Sequence, residues 1–183
     1  MKGLRANLAV KHKSFILFFV LLSGVVLVYF VVTRTSEKVM SVQAKAPDFE
    51  VADVVRGQKV RSSDLRGKVV FVNFWASWCQ PCKEEMPSVD SLYKEEFPKG
   101  NFVMLTILYK DNPESALEHM KANGFSFPVY TDPGGNSAVA FKVTGVPETY
   151  VIDKNGALRK RVIGPADWSS PEERLLIDSL LKE

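Results

Sequence analysis

The chain has 183 residues, 46% of them hydrophobic, enough for one full-size domain and a short appendage. Its formal charge of +3 is unevenly divided: residues 1–46 hold seven Lys and Arg against one acidic residue, net +6, and the remainder is net −3. The basic excess is therefore a property of the N-terminal segment rather than a nucleic-acid footprint, and no nucleic-acid motif occurs elsewhere.

Lys2, Arg5, Lys11 and Lys13 lead into Phe15–Val32, an uncharged apolar run. At 1.5 Å per residue a helix over that run crosses most of a hydrocarbon core about 30 Å thick, with Tyr29 near one interface. The positive charges on the N-terminal side place residues 1–14 in the cytoplasm, 15–32 in the membrane and the remainder outside it. A cleaved secretory signal is the competing reading. The apolar run is longer than a usual signal core, and the nearest Ala-x-Ala sequence after it, Ala44-Lys45-Ala46, lies well beyond its end and precedes Pro47, which favours retention. Residues 33–45 read as a mobile polar linker and 46–183 as the folded domain.

In chain order, the domain is expected to open with a hairpin, Phe49–Val54 and Lys59–Arg61 around Arg56-Gly57. The β-branched and aromatic run Val69–Trp75 suits a buried central strand, and a helix from Gln80 to about Phe97 follows, kinked at Pro87. A strand is expected at Phe102–Leu108, a helix at Pro113–Asn123 stopped by Gly124, a short strand at Val129-Tyr130 and a short helix at Asn136–Phe141. Thr149–Ile152 and Leu158–Ile163 should pair across Asp153-Lys154-Asn155-Gly156. The last helix should start at Ser170-Pro171-Glu172-Glu173, a capping box.

The only two cysteines stand in Trp78-Cys79-Gln80-Pro81-Cys82, directly after the central strand. Two thiols one helical turn apart can close into a disulfide and reopen, so the pattern points to dithiol-disulfide exchange. A structural zinc site would need four ligands, and His12 and His119 lie far off in sequence. A c-type haem site would need a histidine where Lys83 stands, and an inert disulfide in so short a loop would contribute little. No metal or cofactor is therefore expected beyond the redox-active Cys79–Cys82 pair. With Pro81 in the first turn, Cys79 falls at the helix N-terminus, where backbone N–H groups and the helix dipole favour a thiolate. Cys79 is the expected attacking sulfur and Cys82 the resolving one. On an ideal helix Cys82, Met86, Val89 and Tyr93 form an apolar stripe, with Glu85 beside it and Glu84 pointing away. Geometry alone leaves Glu85 equally open to an active-site role and to a solvated position at the stripe's edge.

Asn73-Phe74-Trp75-Ala76-Ser77-Trp78-Cys79-Gln80-Pro81-Cys82 resembles the thioredoxin superfamily. Ala46-Pro47-Asp48-Phe49, Ser63-Asp64-Leu65-Arg66-Gly67-Lys68 and Gly145-Val146-Pro147-Glu148-Thr149-Tyr150-Val151-Ile152-Asp153 follow the order seen in membrane-anchored thiol-disulfide oxidoreductases related to ResA, TlpA and CcmG proteins. The resemblance implies an α/β thioredoxin-like fold: a central mixed sheet flanked by helices, with an N-terminal hairpin and an inserted short helix at 136–141, behind an N-terminal transmembrane helix. It also implies a cis Val146–Pro147 bond packed against the disulfide, an active-site role for Glu85, and Trp78, Pro81, Val146, Pro147 and Glu148 lining the substrate groove. Glu148 would give that groove a negative rim. Where thioredoxins carry a buried aspartate this chain has Asn73, which cannot take a proton from Cys82.

The implied function is that of a bacterial, single-pass protein of the cytoplasmic membrane, with its catalytic domain on the periplasmic side, that reduces disulfides in apocytochrome c or in a copper-assembly protein. Its electrons would come from a membrane thiol donor of the CcdA or DsbD type. A dithiol oxidase of the DsbA type and a non-catalytic copper-site assembly module are the alternatives. A peroxidase is disfavoured, because Ala76 stands where the Thr-x-x-Cys pattern of peroxiredoxins needs threonine.

Overall fold

In the computed structural model, residues 22–24 and 43–183 are described. The chain divides into two units, Met1–Met40 and Ser41–Glu183. The expected cytoplasmic segment, the membrane span apart from a helical turn at 22–24, and the linker up to residue 42 lie outside the described residues. Among the described residues no helix is long and apolar enough to cross a membrane.

The second unit is built on one mixed sheet. Its strands are β1 (Glu50–Asp53), β2 (Lys59–Arg61), β3 (Val69–Trp75), β4 (Phe102–Leu108), β5 (Val129–Thr131), β6 (Glu148–Ile152) and β7 (Leu158–Ile163), in the order β2-β1-β5-β4-β3-β6-β7. Helices α1 (Gln80–Glu96), α2 (Pro113–Asn123) and α3 (Asn136–Ala140) fill connections between strands, and α4 (Pro171–Lys182) follows β7. β3 is buried along its whole length, pairing in parallel with β4 and antiparallel with β6. That environment explains why, apart from Asn73, its sequence is apolar, β-branched and aromatic, and needs cover on both faces.

The elements begin and end within a residue of where the pattern puts them, and several local differences have identifiable causes. β1 stops at Asp53 rather than Val54, because the Asp53 carboxylate accepts the Val55 and Arg56 N–H groups, both at 2.8 Å, and starts the turn. The helical span of α1 continues through Pro87 without interruption. The capping box expected at Ser170 is not formed, since Ser170 makes no side-chain cap bond and the Glu173 carboxylate is held by Lys160 of β7 at 2.5 Å. Residues 43–46, part of which was expected to be mobile linker, dock on the β6–β7 hairpin: Leu158 N–H donates to the Ala44 carbonyl (2.8 Å) and Ala46 N–H to the Gly156 carbonyl (2.9 Å).

Two features aim the redox loop. The Tyr109 N–H bonds the Trp75 carbonyl at 2.8 Å, joining the carboxyl ends of β3 and β4. Just beyond, Asp111 accepts both the N–H (2.5 Å) and the hydroxyl (3.1 Å) of Ser77. The turn that carries the cysteines is thereby fixed to the strand ends, at the edge of the core where open α/β sheets place their sites.

Candidate functional site

Cys79 and Cys82 form a disulfide with their Cα atoms 5.3 Å apart. Cys79 is the N-cap of α1, and its Sγ accepts the Cys82 N–H at 3.2 Å. This is one of the N–H groups that a helix start leaves without an internal partner, so the donor is already aimed at the sulfur that would carry negative charge after reduction. Both sulfurs are enclosed, with Cys79 4% and Cys82 2% exposed. The Val146–Pro147 bond is cis, and the Val146 carbonyl oxygen lies 3.5 Å from Cys79 Sγ. Pro147 is buried and Val146 half-buried beside the disulfide, whereas Pro81 is exposed. Trp78 is exposed over most of its ring, tethered by its indole N–H to the Lys110 carbonyl at 3.2 Å.

Glu85 lies on the buried face of α1 that also carries Cys82, Met86 and Val89. Its Oε1 accepts the indole N–H of Trp168 and, at 3.4 Å, the Asn73 amide, whose other bond goes to the Thr149 hydroxyl at 2.8 Å. Asn73 and Thr149 face one another across β3 and β6, so the sheet itself supplies this part of the pocket. Burial raises the Glu85 carboxyl to about 7, against the opposing hydrogen bonds of Trp168 and Thr149. Its second oxygen is buried without a hydrogen-bond partner. Glu84, one residue earlier, is exposed and accepts only a long bond from Gln80 (3.4 Å). The site thus joins a dithiol at a helix N-terminus to a buried carboxyl able to exchange a proton near neutral pH.

Glu148 differs from the expectation. It is fully buried, paired with Arg161 at 2.6 Å and bonded by the Tyr150 hydroxyl and the Thr144 N–H. β6 lies inside the sheet between β3 and β7, so the first residue of that strand is covered rather than presented to a groove. A negative rim at Glu148 is therefore absent, and Glu148 does not line the site through its side chain. Among the described residues no cluster of His, Cys, Asp and Glu could hold a metal ion.

Sequence reasoning missed Trp168, Ser88, Asp111 and Arg161. Trp168 carried a usable signal: a tryptophan between polar residues in a connection has too much apolar surface to leave in water and must dock somewhere. It is fully buried, edge-on to Phe71 with ring centroids 4.7 Å apart.

Residues 42–161 match the AhpC/TSA family. The chain is 35% identical over 142 residues to the thiol-disulfide oxidoreductase ResA of Bacillus thuringiensis subsp. konkukian, covering 77% of this chain and 80% of the relative. It is 33% identical over 141 residues to ResA of Geobacillus kaustophilus, with the same coverage of 77% and 80%. Its fold is similar to the crystal structure of a thiol:disulfide interchange protein of the thioredoxin family from Chlorobium tepidum, with TM-score 0.65, 27% identity, and 78% of this chain and 99% of that one covered.

Proposed function

The chain belongs to the AhpC/TSA family and is a thiol-disulfide oxidoreductase of the ResA kind, and from that premise we propose that it works as a membrane-anchored, extracytoplasmic disulfide reductant. The observation that carries the chemistry is the Cys82 N–H aimed at Cys79 Sγ on the first turn of a helix whose next buried carboxyl, Glu85, titrates near neutrality.

In the reduced protein the Cys79 thiolate attacks one sulfur of a target disulfide. A mixed disulfide forms and one target thiolate leaves. Cys82 then gives its proton to the Glu85 carboxylate and attacks Cys79 Sγ, which releases the second target thiolate and closes Cys79–Cys82. The target gains two electrons and the cysteine pair loses two; one released thiolate takes its proton from Glu85 and the other from water. Asn73 cannot take a proton, so another group or water must, and Glu85 is the buried carboxyl on the face of α1 that carries Cys82. Trp78 and Pro81, exposed around the disulfide, and the Val146–Pro147 segment border the place where the target disulfide must lie. Apocytochrome c, or a thiol protein of copper-site assembly, fits as the target. A membrane thiol donor of the CcdA or DsbD type fits as the source of electrons. Support for the anchor comes from the basic start and the apolar run Phe15–Val32. A peroxidase reading is disfavoured by Ala76, whose carbonyl accepts the Cys79 N–H at 3.1 Å and whose side chain offers no hydroxyl to a peroxide.

Trapping tests the proposal. In the full chain, Cys82→Ser should accumulate a mixed disulfide with the natural target through Cys79, and the reduced wild type should alkylate first at Cys79, with an apparent pKa below the 8.5 or so of a free thiol. Trapping through Cys82 in the reciprocal Cys79→Ser variant, or equal alkylation of both thiols, would overturn the assignment.

A further inference from the structure

The segment between β7 and α4 is tied to the redox helix at two points. The Ser88 hydroxyl, on α1, donates to the Glu85 carbonyl (2.7 Å), lies 3.4 Å from the Ala166 carbonyl, and accepts the Trp168 N–H at 3.1 Å. Three residues before Ser88, the Trp168 indole N–H donates to Glu85 Oε1, a bond between residues 83 apart in the chain. Backbone and side chain of Trp168 are therefore both fixed from α1. Glu85 also lines a cleft between α1 and residues 165–169, shared with Glu84, Ser88 and Asp167.

We propose that Trp168 is a positioning residue of the redox site: its indole N–H, with Ser88 as the latch that seats it, holds the Glu85 carboxyl where it can take the Cys82 proton. The inference rests on the role of Glu85 proposed above. A fully buried indole N–H needs an acceptor wherever it packs, so what matters is which acceptor it meets. Here the polar edge of the ring is given to Glu85, the buried carboxyl three residues after Cys82 on the redox helix, and a neutral donor is well suited to that position. It steadies the carboxylate without supplying a full charge that would hold it ionised and remove its basicity.

The groups facing Glu85 from β3 and β6 are Asn73 and Thr149, neither of which carries charge. On the 165–169 segment Asp167 is turned to the Ser169 N–H and hydroxyl, on β6 Glu148 is sealed against Arg161, and on α1 Glu84 is exposed. Burial is thus the main influence on the proton affinity of Glu85, and the bonds from Trp168 and Thr149 are the ones that oppose it. Removing the indole N–H takes away a bond that favours the charged carboxylate, so the proton affinity must rise.

The test uses the reduced full chain and a synthetic peptide disulfide, with release of the mixed disulfide followed across pH. Trp168→Phe keeps an aromatic ring and removes the donor. It should move the midpoint for release upward by about one pH unit, the size expected for one lost hydrogen bond to a charged group. The rate at high pH should stay near wild type. In a Glu85→Gln background the same substitution should produce no further shift. Should Trp168→Phe unfold, Ser88→Ala loosens the latch and is expected to shift the midpoint the same way by a smaller amount. An unmoved midpoint in the folded variant, or an equal shift in the Glu85→Gln background, would overturn the inference. If Glu85→Gln alone leaves the wild-type midpoint in place, the proton-acceptor reading of Glu85 fails first and this inference with it; if Glu85→Gln abolishes the midpoint and Trp168→Phe does not move it, only the role of Trp168 fails.

Discussion

Replacing Arg161 by methionine is expected to destabilise the oxidised Ser41–Glu183 unit by about 3–5 kcal/mol, the usual consequence of leaving one partner of a buried ion pair behind. Glu148 has no exposed side-chain surface and Arg161 keeps 8% of its own, so solvent cannot replace the lost charge at the distance of 2.6 Å that now separates them. The Tyr150 hydroxyl and the Thr144 N–H would remain as neutral donors, and they offset only part of the loss. Adding Glu148→Gln to the variant should recover much of the stability, because the side-chain amide keeps an acceptor for the Tyr150 hydroxyl without a charge. Urea unfolding of wild type and the two variants measures both effects. A loss under about 1 kcal/mol would mean that the pair is solvated and that Glu148 is free to face a substrate after all.

Glu85→Gln should show the opposite sign on stability and a loss on activity. The Glu85 carboxyl sits at about 7 in the folded protein against 4.5 for its ordinary value, with burial as the main cause. A carboxyl raised in this way contributes stability that is fully present below its unfolded pKa and lost as pH rises through the folded value. Over the window from 4.5 to about 7 the loss amounts to at most about 3 kcal/mol. Glutamine cannot ionise, so the variant should become more stable than wild type as pH rises from 5 to 8. The same variant should reduce a peptide disulfide more slowly and titrate differently at the Cys79 thiolate. Glu84→Gln, on the exposed side of α1, should change neither property. Parallel stability curves for wild type and Glu85→Gln would contradict the burial cost, and unchanged turnover would contradict the proton transfer.

These two carboxylates also mark where the sequence is legible. The central strand could be read because Val69–Trp75 is apolar on both faces, and the helix start because Pro81 and the cysteines mark one turn. Glu85 was harder. Helical spacing places it at the border of an apolar stripe, and a border position says nothing about what packs over it. The covering residue, Trp168, arrives from the far end of the chain. Glu148 was misplaced for a related reason: a residue at the start of a strand reads as exposed until the order of the strands is known, and β6 turns out to be internal. Its neutralising partner Arg161 lies on the adjacent strand, where the sequence Leu158–Ile163 shows several cations and gives no sign of which one turns inward. Periodicity identifies faces; pairings over long sequence distance come from tertiary packing.

The claim that most needs a direct test is the reducing direction. Equilibrating the full chain with glutathione or dithiothreitol redox buffers and trapping the Cys79–Cys82 couple gives its potential in one titration. The account predicts a low-potential couple, near the value of about −270 mV found for thioredoxin, as a donor of electrons requires. A couple near the value of about −120 mV found for DsbA would contradict it and make the protein an oxidant.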